Sequence, residues 1–102
     1  MKVIFSTLFR SDLLEAESRY SGISTRLGED FHNRVKEVVR TIIQWKGGDH
    51  VGPHGFPCRK CRPFPYVVCY QIESDVLYVL GIVHEQRHPD YLRKNLPPQK
   101  PV

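Results

Sequence analysis

At 102 residues the chain has room for one hydrophobic core but not two. A composition that is 40% hydrophobic and 25% charged is that of a folded domain and excludes an intrinsically disordered chain. The formal charge of +4 suits nucleic acid, a ribosome surface or an acidic protein as partner, without choosing among them.

Lys2 to Ser6 reads as a short first strand, with Val3 and Phe5 alternating against Ile4. Met1-Lys2-Val3-Ile4-Phe5 gives way to Ser6-Thr7 too soon for a signal peptide, so the expected location is cytoplasmic. The Ser6-Thr7 step offers an N-cap for a helix from Leu8 to about Tyr20. Its inward positions are Phe9, Leu13, Ala16 and Tyr20, three or four apart, while Asp12, Glu15 and Arg19 are assigned to water. Ser21-Gly22 ends it.

A second helix follows a capping Ser24, with an apolar stripe at Leu27, Phe31, Val35, Val38, Val39 and Ile42 that lasts about five turns. Its other face mixes signs through Glu29, Asp30, Asn33, Arg34, Lys36, Glu37 and Arg40, the pattern of a solvated surface. Gly47-Gly48 stops the helix, and Trp45 is expected to cover the edge of the core.

From Asp49 to Pro65 the chain turns to Gly, Pro, His, Cys and basic residues, a loop with a short strand over Cys58 to Arg62. Tyr66 to Ile72 and Val76 to His84, separated by Glu73-Ser74-Asp75, form an antiparallel hairpin. The apolar run Val76 to Val83 is far shorter than the roughly 20 residues that span a bilayer, so no membrane is implied. Pro89 opens a helical turn through Leu96, and residues 97–102 read as a flexible tail to a single domain over 1–96. The order β-α-α-β-β-β gives an α+β fold: a small, mostly antiparallel sheet with the two N-terminal helices packed on one face.

Three segments, Asp12-Leu13-Leu14-Glu15-Ala16, Leu27-Gly28-Glu29-Asp30-Phe31 and Phe64-Pro65-Tyr66-Val67-Val68-Cys69-Tyr70, together with Val83-His84-Glu85-Gln86-Arg87-His88-Pro89-Asp90-Tyr91, resemble in type and order the RelE/ParE toxins of type II toxin-antitoxin systems. The resemblance runs from residue 3 to about 93 and implies a plasmid-stabilisation toxin that arrests growth and is neutralised by a cognate antitoxin. It implies no cofactor. Two branches are known, ribosome-dependent mRNA endonucleases and non-catalytic poisons of DNA gyrase. Cutting RNA needs a proton acceptor for the 2′-hydroxyl, cations for the phosphate and an acid for the leaving oxygen. The nuclease branch typically places arginine directly after the tyrosine that opens the hairpin. Here Tyr66 is followed by Val67, which resembles the ParE-like branch, so gyrase is the favoured target. The nuclease alternative, on the ribosome and its mRNA, would hold phosphate with Lys60, Arg62 and Arg87 and move protons with His88 or Tyr91. A third reading keeps the fold and antitoxin binding without toxicity.

On the residues themselves, His84, Arg87, His88 and Tyr91 gather where the last strand opens into a loop, the best candidate site. Their structural reading is that Tyr91 anchors the last turn and Arg87 pairs with a surface carboxylate. Lys60 and Arg62 would share one strand face and bind a phosphate or an acidic antitoxin residue, or else form a solvated edge. Tyr66, Tyr70 and Tyr78 read as packing. Cys58-Arg59-Lys60-Cys61, after His50 and His54, has the short spacing of zinc sites, but on a strand residues three apart point to opposite faces, so no metal is expected. Three cysteines without a secretory signal read as reduced thiols, with Cys69 in the core.

Overall fold

The computed structural model describes residues 1–96; the expected tail at 97–102 lies outside the described residues. The elements are β1 (Lys2–Phe5), α1 (Thr7–Ser21), α2 (Thr25–Trp45), β2 (Cys58–Lys60), β3 (Tyr66–Glu73), β4 (Val76–His84) and α3 (Tyr91–Asn95). They form a four-stranded sheet in the order β1-β4-β3-β2, with β2, β3 and β4 antiparallel and β1 parallel to β4. The α+β layout expected from the sequence is borne out.

Both long helices begin where their caps dictate. Ser6 Oγ accepts the Phe9 N–H at 2.9 Å, and Ser24 Oγ accepts the Leu27 N–H at 3.0 Å, each satisfying a donor that the first turn leaves free. They cross closely at Gly28, where a Cβ would stand 3.1 Å from the Ser21 backbone, so only glycine fits without displacing α1. The α2 stripe then lies flat on the sheet, with Phe31, Val35, Val38 and Ile42 almost wholly buried. Their partners are Val68, Tyr70, Leu77, Val79 and Ile82, the helix-side residues of β3 and β4.

The hairpin turns at Ser74-Asp75, both with positive φ (52° and 61°), as in the two-residue turns whose twist matches that of antiparallel strands. A bulge interrupts the ladder between Cys69 and Tyr70, where Leu80 is the unpaired residue on β4. The bulge shifts the alternation of β4, so that Leu80 and Val83, three apart, share the far face, where Val67, Cys69, Leu80, Val83 and Leu92 form a second core under α3 and the 49–57 loop. Gly81 makes room for this layer: a Cβ there would meet Leu92 Cδ1 at 2.7 Å.

Three expectations are corrected. Asp12 is buried rather than solvated, at 8% exposure. It stands three residues after Phe9 and four before Ala16, on the inward stripe of α1 itself. Trp45 is 70% exposed, because it falls in the last turn of α2 just ahead of left-handed Lys46; the core's edge is closed instead by buried Gly47 against Ile72 and Tyr70. The strand expected over Cys58 to Arg62 ends at Lys60. A turn follows, closed by Phe64 N–H to the Cys61 carbonyl at 2.9 Å, and Pro63 has no N–H with which to continue a ladder. Among the described residues no helix is long and apolar enough to cross a membrane.

Candidate functional site

Among the described residues the candidate side chains fall in two clefts, one beside α1 and one on the far face. The first, about 320 Å³, lies between α1 and the end of β4 and is lined by Asp12, Glu15, Arg19, Tyr66, His84 and Arg87. At its base Tyr91 Oη donates a 2.7 Å hydrogen bond to Asp12 Oδ1, tying the C-terminal turn to the first helix. The Arg87 guanidinium sits 4.1 Å from the centre of the Tyr91 ring, a cation–π contact.

Burial raises the Asp12 carboxyl above its usual range, opposed by the Tyr91 hydrogen bond and the charge of Arg87. The Tyr91 hydroxyl is pushed up to about 12, first by burial and then by its bond to Asp12. Asp12 Oδ2 is buried without a hydrogen-bond partner among the described residues.

His84 lies edge-on to Tyr66, ring centres 5.2 Å apart, and its Nδ1 accepts the Gln86 N–H at 3.1 Å. The neutral ring therefore carries its proton on Nε2. His88 repeats the arrangement, with Nδ1 accepting the Asp90 N–H at 3.1 Å, on the exposed loop beyond the cleft. Of the four residues expected here, His84 and Arg87 line the cleft, Tyr91 supports it through Asp12, and His88 stands outside.

Lys60 is elsewhere. It pairs with Val67 and lines the second cleft, about 380 Å³, with His54, Cys58 and Glu85. Arg62 is in the turn after β2, its carbonyl held by Arg34 Nε of α2 at 2.6 Å, so the two cations do not share a strand face as expected. Val67 itself is 7% exposed and packs in the far-face core.

Cys58 and Cys61 are separated by the sheet, the first packed with the far-face core and the second in the helix-side core. No cluster of three or more His, Cys, Asp or Glu able to hold a metal occurs among the described residues. Arg59, between them, reaches Asp49 at 3.0 Å, Thr41 at 3.1 Å and the Gly47 carbonyl at 2.8 Å. With Tyr70 Oη donating to Asp49 at 2.6 Å, it fastens the end of α2 to the sheet. Tyr66 and Tyr70 are core residues and Tyr78 packs on the far face, as their alternation suggested.

Sequence reasoning missed Asp12, though its place on the α1 stripe was readable. It also missed Glu85, and weighed His54 only beside the rejected zinc spacing; their buried atoms, Glu85 Oε2 and His54 Nδ1, have no partner among the described residues. Burial lowers the His54 pKa. Their convergence depends on the path of the 49–57 loop, which no periodicity encodes.

The family described as "ParE toxin of type II toxin-antitoxin system, parDE" matches residues 3–89. The chain belongs to the ParE toxin family. It is thus the toxin of a type II toxin-antitoxin pair, with a cognate antitoxin as partner. No match was found among curated proteins. Of the segments that resembled the family's recurring patterns, those in α1, β3 and the end of β4 contribute to the α1–β4 cleft, and Leu27 to Phe31 lies in α2.

Proposed function

We propose that this ParE-family toxin acts by binding DNA gyrase and holding it in its cleaved-DNA state, rather than by cutting mRNA. The observation that carries the reading is the position after Tyr66: Val67 is buried and apolar, where the nuclease branch typically places a phosphate-binding arginine.

The dispersal of the other candidates agrees. Lys60 and Arg87 line different clefts, so these two candidate cations do not converge on one phosphate. Tyr91, held by Asp12 with its pKa up at about 12, is a poor proton donor or acceptor near neutrality. Arg87 and the exposed His88 are instead suited to contact a protein surface. No cofactor enters this reading. The antitoxin's disordered segment would fold along the domain and cover these contacts, which suits a switch released by proteolysis.

Purified toxin added to gyrase, ATP and supercoiled plasmid should accumulate linear DNA once protein is removed, while mRNA in a translating extract stays intact. The Lys60→Ala, Arg62→Ala double variant should keep most of that gyrase activity. Ribosome-dependent mRNA cleavage, abolished in the double variant, would establish the nuclease reading instead. Growth unaffected by induction, with antitoxin still bound, would identify a non-toxic binding module.

A further inference from the structure

Cys58 and Cys69 stand opposite each other in the β2–β3 ladder. The pairs around them carry its hydrogen bonds: Tyr70 N–H to the Pro57 carbonyl at 3.0 Å and Cys61 N–H to the Tyr66 carbonyl at 2.9 Å. Cys58 and Cys69 therefore form a non-hydrogen-bonded pair, the kind whose side chains approach most closely, with Cα atoms about 4.5 Å apart. That spacing falls inside the range of about 4.4–6.8 Å that a disulfide bridges without moving the backbone. The two sulfurs lie 2.6 Å apart, both on the far face of the sheet.

The two thiols are not equivalent. Cys58 is half-buried and lines the far-face cleft beside Lys60, whereas Cys69 is wholly buried beneath it. The hydrogen bond from the Cys69 thiol lowers the Cys58 pKa against the effect of burial, and the same bond, with burial, raises that of Cys69. Cys58 is thus the accessible group that ionises first, and Cys69 is the resolving thiol waiting behind it. Cys61 provides the contrast within the same chain: it is fully buried in the helix-side core, and burial pushes its pKa up to about 12.

We propose that Cys58 and Cys69 are a dithiol modification site that a low-molecular-weight disulfide of the glutathione type converts to a cross-strand disulfide, fastening edge strand β2 and the 49–57 loop to β3. In the first step the Cys58 thiolate attacks one sulfur of the small disulfide, forming a mixed disulfide and releasing one small thiolate. Cys69 then attacks Cys58 Sγ, and the second small thiolate leaves carrying the Cys69 proton. Two protein thiols are oxidised and one small disulfide is reduced to two thiols, so electrons and atoms balance. Edge strand β2 carries Lys60 next to Cys58, so the bond fixes the part of the far-face cleft that the sheet holds least firmly.

The test is thiol counting and peptide mapping on the intact, folded chain equilibrated with oxidised and reduced glutathione at a series of ratios and quenched by alkylation. The proposal expects the thiols alkylated once the quenched chain is unfolded to fall from three to one under oxidising ratios. A peptide pair joining Cys58 to Cys69 should appear and be lost on reduction, with Cys61 alkylated only after unfolding. A Cys69→Ala variant should stop at a glutathione adduct on Cys58; if it does not fold, the wild-type linkage decides alone. Three persistent thiols under excess oxidised glutathione, a linkage through Cys61, or a wild-type Cys58 adduct that never resolves would each overturn it.

Discussion

The two faces of the sheet are closed by different means. On the helix side, 15 residues of α1 and 21 of α2 cover Val68, Tyr70, Leu77 and Val79 with a continuous aromatic and aliphatic layer. Tyr20, Phe31, Phe64 and Tyr66 meet there with ring centres 5.0 to 6.3 Å apart. On the far side, the five residues of α3 and a loop cover a smaller core around Cys69, Leu80 and Leu92. The thin layer leaves the second cleft at a margin where local opening costs less.

The largest effect that separates the faces is expected from truncating their central residues. Phe31→Ala should cost about 3–5 kcal/mol, removing a ring that touches three other aromatics, and urea denaturation would read it as a lower midpoint. Leu92→Ala should instead speed amide exchange over residues 84–96 and move the midpoint less than Phe31→Ala does. Equal midpoint shifts would mean that the faces unfold as one unit and that the far side is not the weaker layer.

This asymmetry also decides what the sequence disclosed. The helix-side core was legible because it rests on two regular repeats, the three-and-four spacing of α2 and the alternation of Tyr66, Val68 and Tyr70, each tied to one geometry. The far-side core was not, because it depends on the bulge at Leu80, which shifts the alternation of β4 beyond it, and on the return of Leu92 over Gly81. The candidate site divides in the same way. The cluster at His84, Arg87 and Tyr91 is local in sequence and was found, whereas Asp12, 79 residues from its partner Tyr91, was assigned to water because its residue type outweighed its position. Pairing Lys60 with Arg62 assumed two more residues of strand than Pro63 permits.

An intermediate effect is expected at the joint between the two faces, where Tyr91 reaches from the far-side turn to Asp12 on α1. Tyr91→Phe should cost about 1–3 kcal/mol, because it leaves a second oxygen of a buried carboxylate without a partner. Undiminished stability would show that α3 docks through Leu92 alone.

The smallest effect is read by its sign. Burial outweighs Tyr91 and Arg87 and raises the Asp12 pKa above 3.8, so the fold favours the neutral carboxyl over the charged one. The stability this contributes is fully present below pH 3.8 and is lost as pH rises through the raised value. Asp12→Asn keeps an oxygen to accept the Tyr91 hydroxyl and does not titrate there. The stability of the variant relative to the native chain should therefore increase as pH rises through that window, measured by urea denaturation at successive pH values. A difference that decreases instead would mean that Arg87 and Tyr91 overcome desolvation, making the pair a stabilising tie between the faces rather than a buried charge retained to position Arg87.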